Sequence, residues 1–298
     1  MTARDSFSGY HPLVNFLYFG LVIGCGMFLL HPVCLAISLG CGIAYSLYLG
    51  GGRAVGFRPA WLLPLFVLTA LVNPAFSHEG ATILAYFPSG NPLTLESILY
   101  GLSAAGLLAS MLFWFSCYNA VMTSDKFVYL FGRIIPSLSL VLSMTLRFVP
   151  KFRAQAKLVG EAQRAAGCGA QTGGVLQRAR RGLTILSILV TWSLESAIET
   201  ADSMHSRGYG LPGRTAFSIY RFDRRDRAAL VWLLLTGGCT VAGAAAGLLR
   251  WHYYPTPGGA GFGALPVSLF AVYLALCLTP ILLDRKEERQ WKRIQSAI

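Results

Sequence analysis

Six apolar stretches alternate with polar connections along this chain, and each is long enough, or nearly so, to cross a lipid bilayer as a helix. A helix needs about 20 apolar residues to cross the roughly 30 Å hydrocarbon core. None of the stretches holds an internal charge, although Glu96 directly precedes the fourth, and the third is short and contains Pro64. The stretches are 12–30, 33–50, 60–73, 97–122, 229–249 and 264–283. The pattern predicts an all-α, polytopic integral membrane protein with about six transmembrane helices.

The region between the fourth and fifth stretches has a different pattern. Residues 125–227 are amphipathic, because apolar runs such as 183–192 are interrupted or followed by charged residues. Such a pattern favours long helices with one apolar and one polar face. The chain therefore divides into N-terminal transmembrane helices (1–124), an amphipathic region (125–227), and C-terminal transmembrane helices with a basic tail (228–298).

Three acidic residues share one face of a predicted helix in this amphipathic region. Glu195, Glu199 and Asp202 are spaced i, i+4, i+7, which places them in one stripe. Either basic residues face the stripe or water solvates it. The candidate cations are Arg178, Arg180, Arg181 and the basic group near Arg147. The spacing leaves both readings open.

Two helix ends in the amphipathic region have a similar sequence. Gln163-Arg164-Ala165-Ala166-Gly167 ends one run and His205-Ser206-Arg207-Gly208 ends the next. Glycine suits the left-handed position that follows a helix C-terminus. An Arg at such an end projects from the tip, but it is also the charge that the helix dipole favours there, so ordinary capping explains it equally well.

Composition and charge distribution support a membrane protein with a defined orientation. The 298 residues are 54% hydrophobic and 13% charged, about half the charged fraction of soluble domains, yet the net charge is +12. Sixteen of the 25 Lys and Arg residues lie between Lys126 and Arg227, and there are none from 59 to 125. Cationic connections stay in the cytoplasm, which places Arg4, Arg53, Arg58 and the C-terminal cations inside. Both termini are thus predicted to be cytoplasmic, with Arg250 at the outer interface.

Other classes of protein fit less well. An ion-coupled secondary transporter, the main alternative, should carry ionisable residues inside its spans, and none of the six stretches has one. An enzyme needs a catalytic constellation, and the sequence shows no P-loop, nucleophile elbow or metal-ligand spacing. A nucleic-acid binder is disfavoured because the cations are interleaved with apolar runs.

Several short motifs, taken together, resemble a known family. They run nearly the whole length of the chain, and the clearest is Ala201-Asp202-Ser203-Met204-His205-Ser206-Arg207-Gly208-Tyr209. The others are His11-Pro12, Asn73-Pro74 followed by His78-Glu79-Gly80, Pro92-Leu93-Thr94-Leu95-Glu96, Met122-Thr123-Ser124-Asp125-Lys126 and Leu146-Arg147-Phe148-Val149-Pro150-Lys151. The chain resembles the transmembrane T component of energy-coupling factor (ECF) transporters, which is related to the membrane subunits of bacterial cobalt and nickel uptake systems.

The resemblance implies a non-catalytic, mechanical role in the bacterial inner membrane. T components join two ABC-type ATPases, identical or different, to a substrate-binding S component that takes up a vitamin or a transition-metal ion. No cofactor is expected on the chain itself, since ATP and Mg²⁺ are used by the ATPases. The resemblance assigns ATPase docking to Ser206, Arg207, Gly208, Arg164, Ala165, Ala166 and Gly167, and a coupling scaffold to Arg147, Pro150, Glu195, Glu199 and Asp202. The expected partners are these proteins and the lipid bilayer, without nucleic acid.

The first docking motif departs from the family pattern. Where the family resembles Ala-Gln-Lys-Ala-Arg-Gly, this chain has Ala162-Gln163-Arg164-Ala165-Ala166-Gly167, so Ala166 stands at the position of the expected Arg. Arg164 points roughly 200° away around the helix from position 166. We therefore expect two unequal ATPase contacts, with Arg207 dominant.

Overall fold

The structure is a computed structural model that describes residues 6–50, 59–77, 79–86, 92–132, 136–167, 174–212, 220–259, 261 and 263–296. Arg4, Arg53, Arg58 and His78, which entered the sequence argument, lie outside these residues. The helices within the described part are α1 (Pro12–Phe28), α2 (Pro32–Gly50), α3 (Pro59–Phe76), α4 (Leu95–Val121), α5 (Ser124–Gly132), α6 (Pro136–Ala165), α7 (Val175–Ser206), α8 (Arg224–Ala245) and α9 (Ala264–Gln295). The all-α, polytopic architecture predicted from the apolar pattern is confirmed.

The chain forms two compact units. One contains Met1–Thr123 and Tyr220–Ile298, and the other contains Ser124–Ile219. The N-terminal and C-terminal transmembrane segments thus build one unit together. Residues 220–227, which the sequence division assigned to the amphipathic region, belong to the transmembrane unit because α8 already begins at Arg224.

In the transmembrane unit, α4 packs against α1, α2 and α3, while α9 packs against α2 and α8. Large aromatic side chains fill the core, among them Tyr18 and Trp114, which are fully buried. Their polar atoms find partners inside the bundle: Tyr18 Oη donates to the Cys277 carbonyl at 2.9 Å, and Trp114 Nε1 donates to Ser38 Oγ at 3.0 Å. Buried polar groups of a membrane protein need such partners, because no water is present in the lipid or in the protein core to bind them.

Length and composition identify five helices in the described part that could span a membrane, namely α2, α4, α7, α8 and α9. The predicted first and third spans correspond to shorter apolar helices, Pro12–Phe28 and Leu62–Phe76. Helix α3 as a whole is longer than the predicted stretch 60–73, because it contains both Pro64 and Pro74 and ends at Phe76. The candidate that matches none of the six predicted spans is α7, which lies in the predicted amphipathic region. Its most apolar window has the lowest mean hydropathy of the five.

Two small antiparallel hairpins lie in the connections of the transmembrane unit. Strand β1 (Ile83–Tyr86) pairs with β2 (Pro92–Thr94) before α4, and β3 (Trp251–His252) pairs with β4 (Gly258–Gly259) before α9. Both hairpins fall in connections that the charge distribution predicts to be outside.

The second unit consists of α5, α6 and α7. Helix α6 packs against α5 and against α7. Both long helices leave most of their surface exposed. Among the described residues of α7, Ser196 is the one that is buried. The unit is therefore an open pair of amphipathic helices, unlike the closely packed transmembrane unit.

Candidate docking and coupling site

Helix α7 ends in a fully formed Schellman motif around Arg207. Ser206 is the last helical residue, Arg207 is the C-cap, and Gly208 adopts φ 80°. The Gly208 N–H donates to the His205 carbonyl and the Tyr209 N–H donates to the Met204 carbonyl, both at 3.0 Å. These are the two hydrogen bonds that define the motif. The backbone thus closes the helix, and the exposed Arg207 side chain projects from its tip.

Helix α6 ends with the same spacing of residues and with alanine in place of the arginine, and residue 168, which would donate the second hydrogen bond of the motif, lies outside the described residues. Ala165 is the last helical residue, and Gly167 adopts φ 75°. The Gly167 N–H donates to the Arg164 carbonyl at 3.0 Å, which matches the bond that Gly208 makes in α7. Ala166 therefore occupies the structural position of Arg207. Arg164 is exposed, but it lies two residues earlier, inside the last helical turn.

The end of α6 shows whether a helix end of this type needs an arginine as its cap. Because α6 closes with Ala166 at the same position, a guanidinium is not needed for this type of cap. Within the described residues, no acidic side chain forms an ion pair with Arg207. Its charge and its five N–H donors are thus available to a partner.

The two long helices touch each other near the middle of both. The Phe152 and Trp192 rings meet edge-to-face with centroids 5.6 Å apart, and Lys151 Nζ lies 5.3 Å from the Trp192 ring centroid. Lys151 Nζ also donates to the buried Ser196 Oγ at 3.4 Å. These aromatic, cation–π and hydrogen-bond contacts join α6 to α7, and we call them the crossing contact. Sequence reasoning missed it, because nothing in the spacing of either helix specifies which residues of the other it meets.

Both tips lie at nearly equal distances from the crossing contact. Fourteen residues separate Phe152 from Ala166, about 21 Å of helix, and fifteen separate Trp192 from Arg207, about 22 Å. The crossing contact thus divides each helix into two arms, and each tip stands at the end of one arm.

The acidic stripe and the remaining scaffold residues are exposed. Glu195, Glu199 and Asp202 all face outward on α7, and within the described part of the chain none is paired with a cation. Among the described residues, neither the basic residues near Arg147 nor those of the first turns of α7 pair with the stripe, so its exposure fits a solvated face. Arg147 is exposed, and Pro150 lies inside α6, where its missing N–H leaves one helical carbonyl without its usual donor.

Large apolar side chains cover much of the exposed surface of the two helices. Most are on α7, where Leu183, Leu194 and Ile198 are each more than 60% exposed. Among the described side chains, these residues are Val141, Leu146, Val149 and Leu158 on α6, and Val175, Leu176, Leu183, Leu186, Ile188, Val190, Leu194 and Ile198 on α7. Surfaces of this kind are typical of protein or membrane contacts.

Three carboxylates of the transmembrane unit are buried, Glu96 and Asp226 in the first turns of α4 and α8 and Asp284 inside α9, and sequence reasoning assigned no role to them. Glu96 accepts from Thr82 N and Oγ1, Asp226 accepts from the N–H groups of His11 and Asp223, and Asp284 accepts from the Phe7 N–H. Glu96 and Asp226 therefore tie connecting segments to the starts of α4 and α8, and Asp284 ties the segment before α1 to α9 partway along that helix. Only the Asp223-x-x-Asp226 capping box is readable from sequence. An ion-coupled transporter would use such acids in mid-span, where these do not lie.

Among the described residues, no group of three His, Cys, Asp or Glu side chains is placed to hold a metal ion. What the arrangement offers is two exposed helix tips, one with a guanidinium, a shared contact between the helices, and broad apolar faces.

Comparison with known proteins shows what the chain is similar to. A family model described as "Cobalt transport protein" matches residues 20–217. A protein named "Energy-coupling factor transporter transmembrane protein EcfT" from Lactobacillus helveticus is 35% identical over 105 residues, which are 35% of this chain and 38% of that protein. A protein of the same name from Exiguobacterium sibiricum is 26% identical over 197 residues, 61% of this chain and 72% of that protein.

A further relative, EcfT 1 from Listeria monocytogenes, is 34% identical over 109 residues, 36% of this chain and 41% of that protein. The chain thus spans about two fifths of the length of the first curated relatives that it matches. The names describe transporter membrane proteins, in agreement with the prediction of a transport subunit rather than an enzyme.

Proposed function

The chain belongs to the cobalt transport protein family, and from this membership we propose that it is the T component of an ECF transporter. In this role it passes the ATP-driven movement of two cytoplasmic ABC-type ATPases to a separate substrate-binding S component in the membrane. The proposal includes the orientation predicted from the cations, with both termini and both helix tips in the cytoplasm. The observation that carries it is the pair of matched, exposed helix ends at 165–167 and 206–208.

The ATPases are proposed to bind these ends. A guanidinium makes a planar, two-pronged contact with a carboxylate, so the natural partner of Arg207 is an acidic groove. Ala166 offers only an apolar methyl group and the cap backbone at the other end. The two ATPase contacts are therefore unequal, with Arg164 or packing alone supporting the weaker one.

Movement is proposed to pass through the crossing contact. Phe152, Lys151 and Trp192 hold the two helices together, so a displaced tip rotates its helix against the other instead of only bending its own arm. The exposed apolar faces of α6 and α7 are the surfaces on which an S component and lipid would rest. The S component, rather than this chain, would select the vitamin or metal ion, and ATP and Mg²⁺ would be bound by the ATPases.

Co-purification with the ATPase pair tests the docking assignment without knowledge of the substrate. The tagged chain is produced together with its two ATPases, and the amount of ATPase recovered is compared for Arg207→Ala, Arg207→Lys and Arg164→Ala. Loss of a desolvated charge pair costs about 2 kcal/mol or more, so Arg207→Ala should weaken binding roughly thirtyfold or more. Arg207→Lys should rescue it only in part, and Arg164→Ala should have the smaller effect.

Arg178→Ala is the matched control, because Arg178 is an exposed cation near the opposite end of the same helix. It should leave ATPase recovery unchanged. Recovery of ATPases with Arg207→Ala at the level of this control would refute the docking role of Arg207. Equal losses with Arg164→Ala and Arg207→Ala would refute the inequality of the two contacts.

A further inference from the structure

Helix α9 is much longer than its apolar part. It runs without interruption from Ala264 to Gln295, 32 residues or about 48 Å, whereas the hydrocarbon core is about 30 Å thick. The apolar part ends at Leu283, and the first charged residue is Asp284. The last twelve residues, which we call the α9 extension (284–295), therefore reach about 18 Å beyond the apolar span.

One side of the α9 extension is fastened to the transmembrane unit. Asp284 Oδ1 accepts from the Phe7 N–H at 2.8 Å, and Glu287 Oε1 pairs with Arg225 Nη1 at 3.1 Å. Arg225 in turn lies over the Tyr10 ring, 4.5 Å from its centroid. Asp284 is fully buried and Glu287 is largely covered. These contacts fix the rotation of the helix about its own axis.

The opposite side carries a cluster of cations, which we call the cationic face: Arg285, Lys286, Arg289, Lys292 and Arg293. At 3.6 residues per turn they occupy an arc of about 120° that excludes Asp284 and Glu287. All five are exposed, and none pairs with an acidic side chain in the part of the chain that the structure describes. Of the three acids of the extension, Asp284 and Glu287 are engaged inward and Glu288 lies outside the arc, so the five cations of the face outnumber the one acid beside them.

We infer that the cationic face binds the headgroups of anionic phospholipids in the cytoplasmic leaflet. The inference rests on the orientation given in the proposed function. Arg285, Lys286 and Arg289 lie within about 8 Å of the end of the apolar span, the depth of the headgroup layer. Lys292 and Arg293 lie about 12–14 Å from it, from where their long side chains extend back toward the headgroups.

The position of the cations favours lipid over an acidic protein. A cluster of four to eight cations immediately after a transmembrane helix is the arrangement that attracts anionic lipid. Here the cluster is continuous with the span, and the inward contacts hold it facing away from the bundle, where lipid surrounds the protein. Binding would anchor α9, and through Arg225 and Tyr10 the start of α8 and the N-terminal segment, at the membrane surface.

Native mass spectrometry of the purified full chain in detergent tests this inference, with phosphatidylglycerol and phosphatidylcholine as the lipids. The unaltered chain should retain phosphatidylglycerol in preference to phosphatidylcholine, and the preference should shrink as salt is raised. The triple variant Arg289→Gln, Lys292→Gln, Arg293→Gln should bind phosphatidylglycerol at least about tenfold more weakly. Arg289→Lys with Arg293→Lys should bind like the unaltered chain, which shows that charge rather than misfolding is responsible.

The control is a triple variant with equal charge loss at exposed cations of the second unit: Arg153→Gln, Arg178→Gln and Arg180→Gln. It should retain the lipid preference. Equal losses in both triple variants, or unchanged lipid binding in the α9 variant, would overturn the inference. If the α9 variant kept its lipid binding but recovered less of the ATPases, the cationic face would be a protein contact and the inference would also be overturned. The Arg207 experiment measures ATPase recovery rather than lipid, so the two proposals fail separately.

Discussion

At the scale of single residues, Arg207 and Ala166 are the informative pair. They occupy the same position in two helix ends that share a glycine with positive φ and the hydrogen bond from that glycine to the carbonyl three residues earlier. A feature needed for the cap would be present at both ends, and the guanidinium is present at one. The pair therefore separates capping, which both ends achieve, from recognition, which only the Arg207 end provides through a charged group.

Substitution of Ala166 by Arg should restore the missing contact. If an acidic groove faces each tip, Ala166→Arg supplies a guanidinium in the geometry of Arg207 and should tighten ATPase binding about tenfold. Ala165→Arg is the matched control, since it adds the same charge one residue earlier, about 100° around the helix. Affinity is measured by titration of the ATPase pair onto the immobilised chain. An equal gain from both variants would indicate general electrostatic attraction and contradict a specific second groove.

At the scale of elements, the crossing contact makes α6 and α7 one mechanical part. In the crossing contact, Trp192 meets both Phe152 and Lys151 of α6. An edge-to-face aromatic pair contributes about 0.5–1.5 kcal/mol beyond its buried area. Trp192 is thus the side chain on which the relative position of the two tips depends most.

Removal of the Trp192 ring should loosen the tips relative to each other. Spin labels at Ala165→Cys and Ser206→Cys, in a background without other cysteines, report the distance between the tips by pulsed electron spin resonance. Trp192→Ala should broaden the distance distribution, whereas Trp192→Phe should preserve it. Leu194→Ala, a change at a residue that is 63% exposed, should have no effect. A distribution unchanged by Trp192→Ala would show that other contacts hold the pair.

The sequence predicts the helices better than their contacts. A helix stands at each of the six predicted spans, although the first and third are short for a crossing and α7 is long and apolar enough without being one of the six. Glycine marks both helix ends, because positive φ requires it. The length of α9 is missed, because its charged continuation has no apolar signal. Lys151 with Trp192, and Glu287 with Arg225, are missed for another reason. These pairs depend on which faces the packing brings together, and local patterns do not specify that.

At the scale of the whole molecule, the charges explain how so apolar a chain carries +12. The excess lies in the amphipathic region and the α9 extension, both on the side predicted to be cytoplasmic. The buried acids of the transmembrane unit accept hydrogen bonds from its own connecting segments. The positive surface is thereby left for lipid and for acidic partners.

Labelling with a membrane-impermeant maleimide tests this sidedness. In a cysteine-free background, Tyr86→Cys in the exposed β1 strand should react in right-side-out vesicles, and Ser206→Cys at the α7 tip only in inside-out vesicles. Detergent-opened vesicles serve as the control, because both positions should react there. Reaction of Ser206→Cys in right-side-out vesicles would place the tips outside and refute the orientation.

The position of the crossing contact along α7 also determines how a displacement at one end of this helix relates to the displacement at its other end. From Trp192, one arm runs about 22 Å to Arg207 and the other about 26 Å back to Val175. A beam pivoted near its centre has a mechanical advantage close to one. If α7 turns about this contact, each ångström of stroke at the ATPase end is returned at the other end with nearly the same size and the opposite sign. The helix would thus reverse the direction of the movement that the ATPases produce without changing its size.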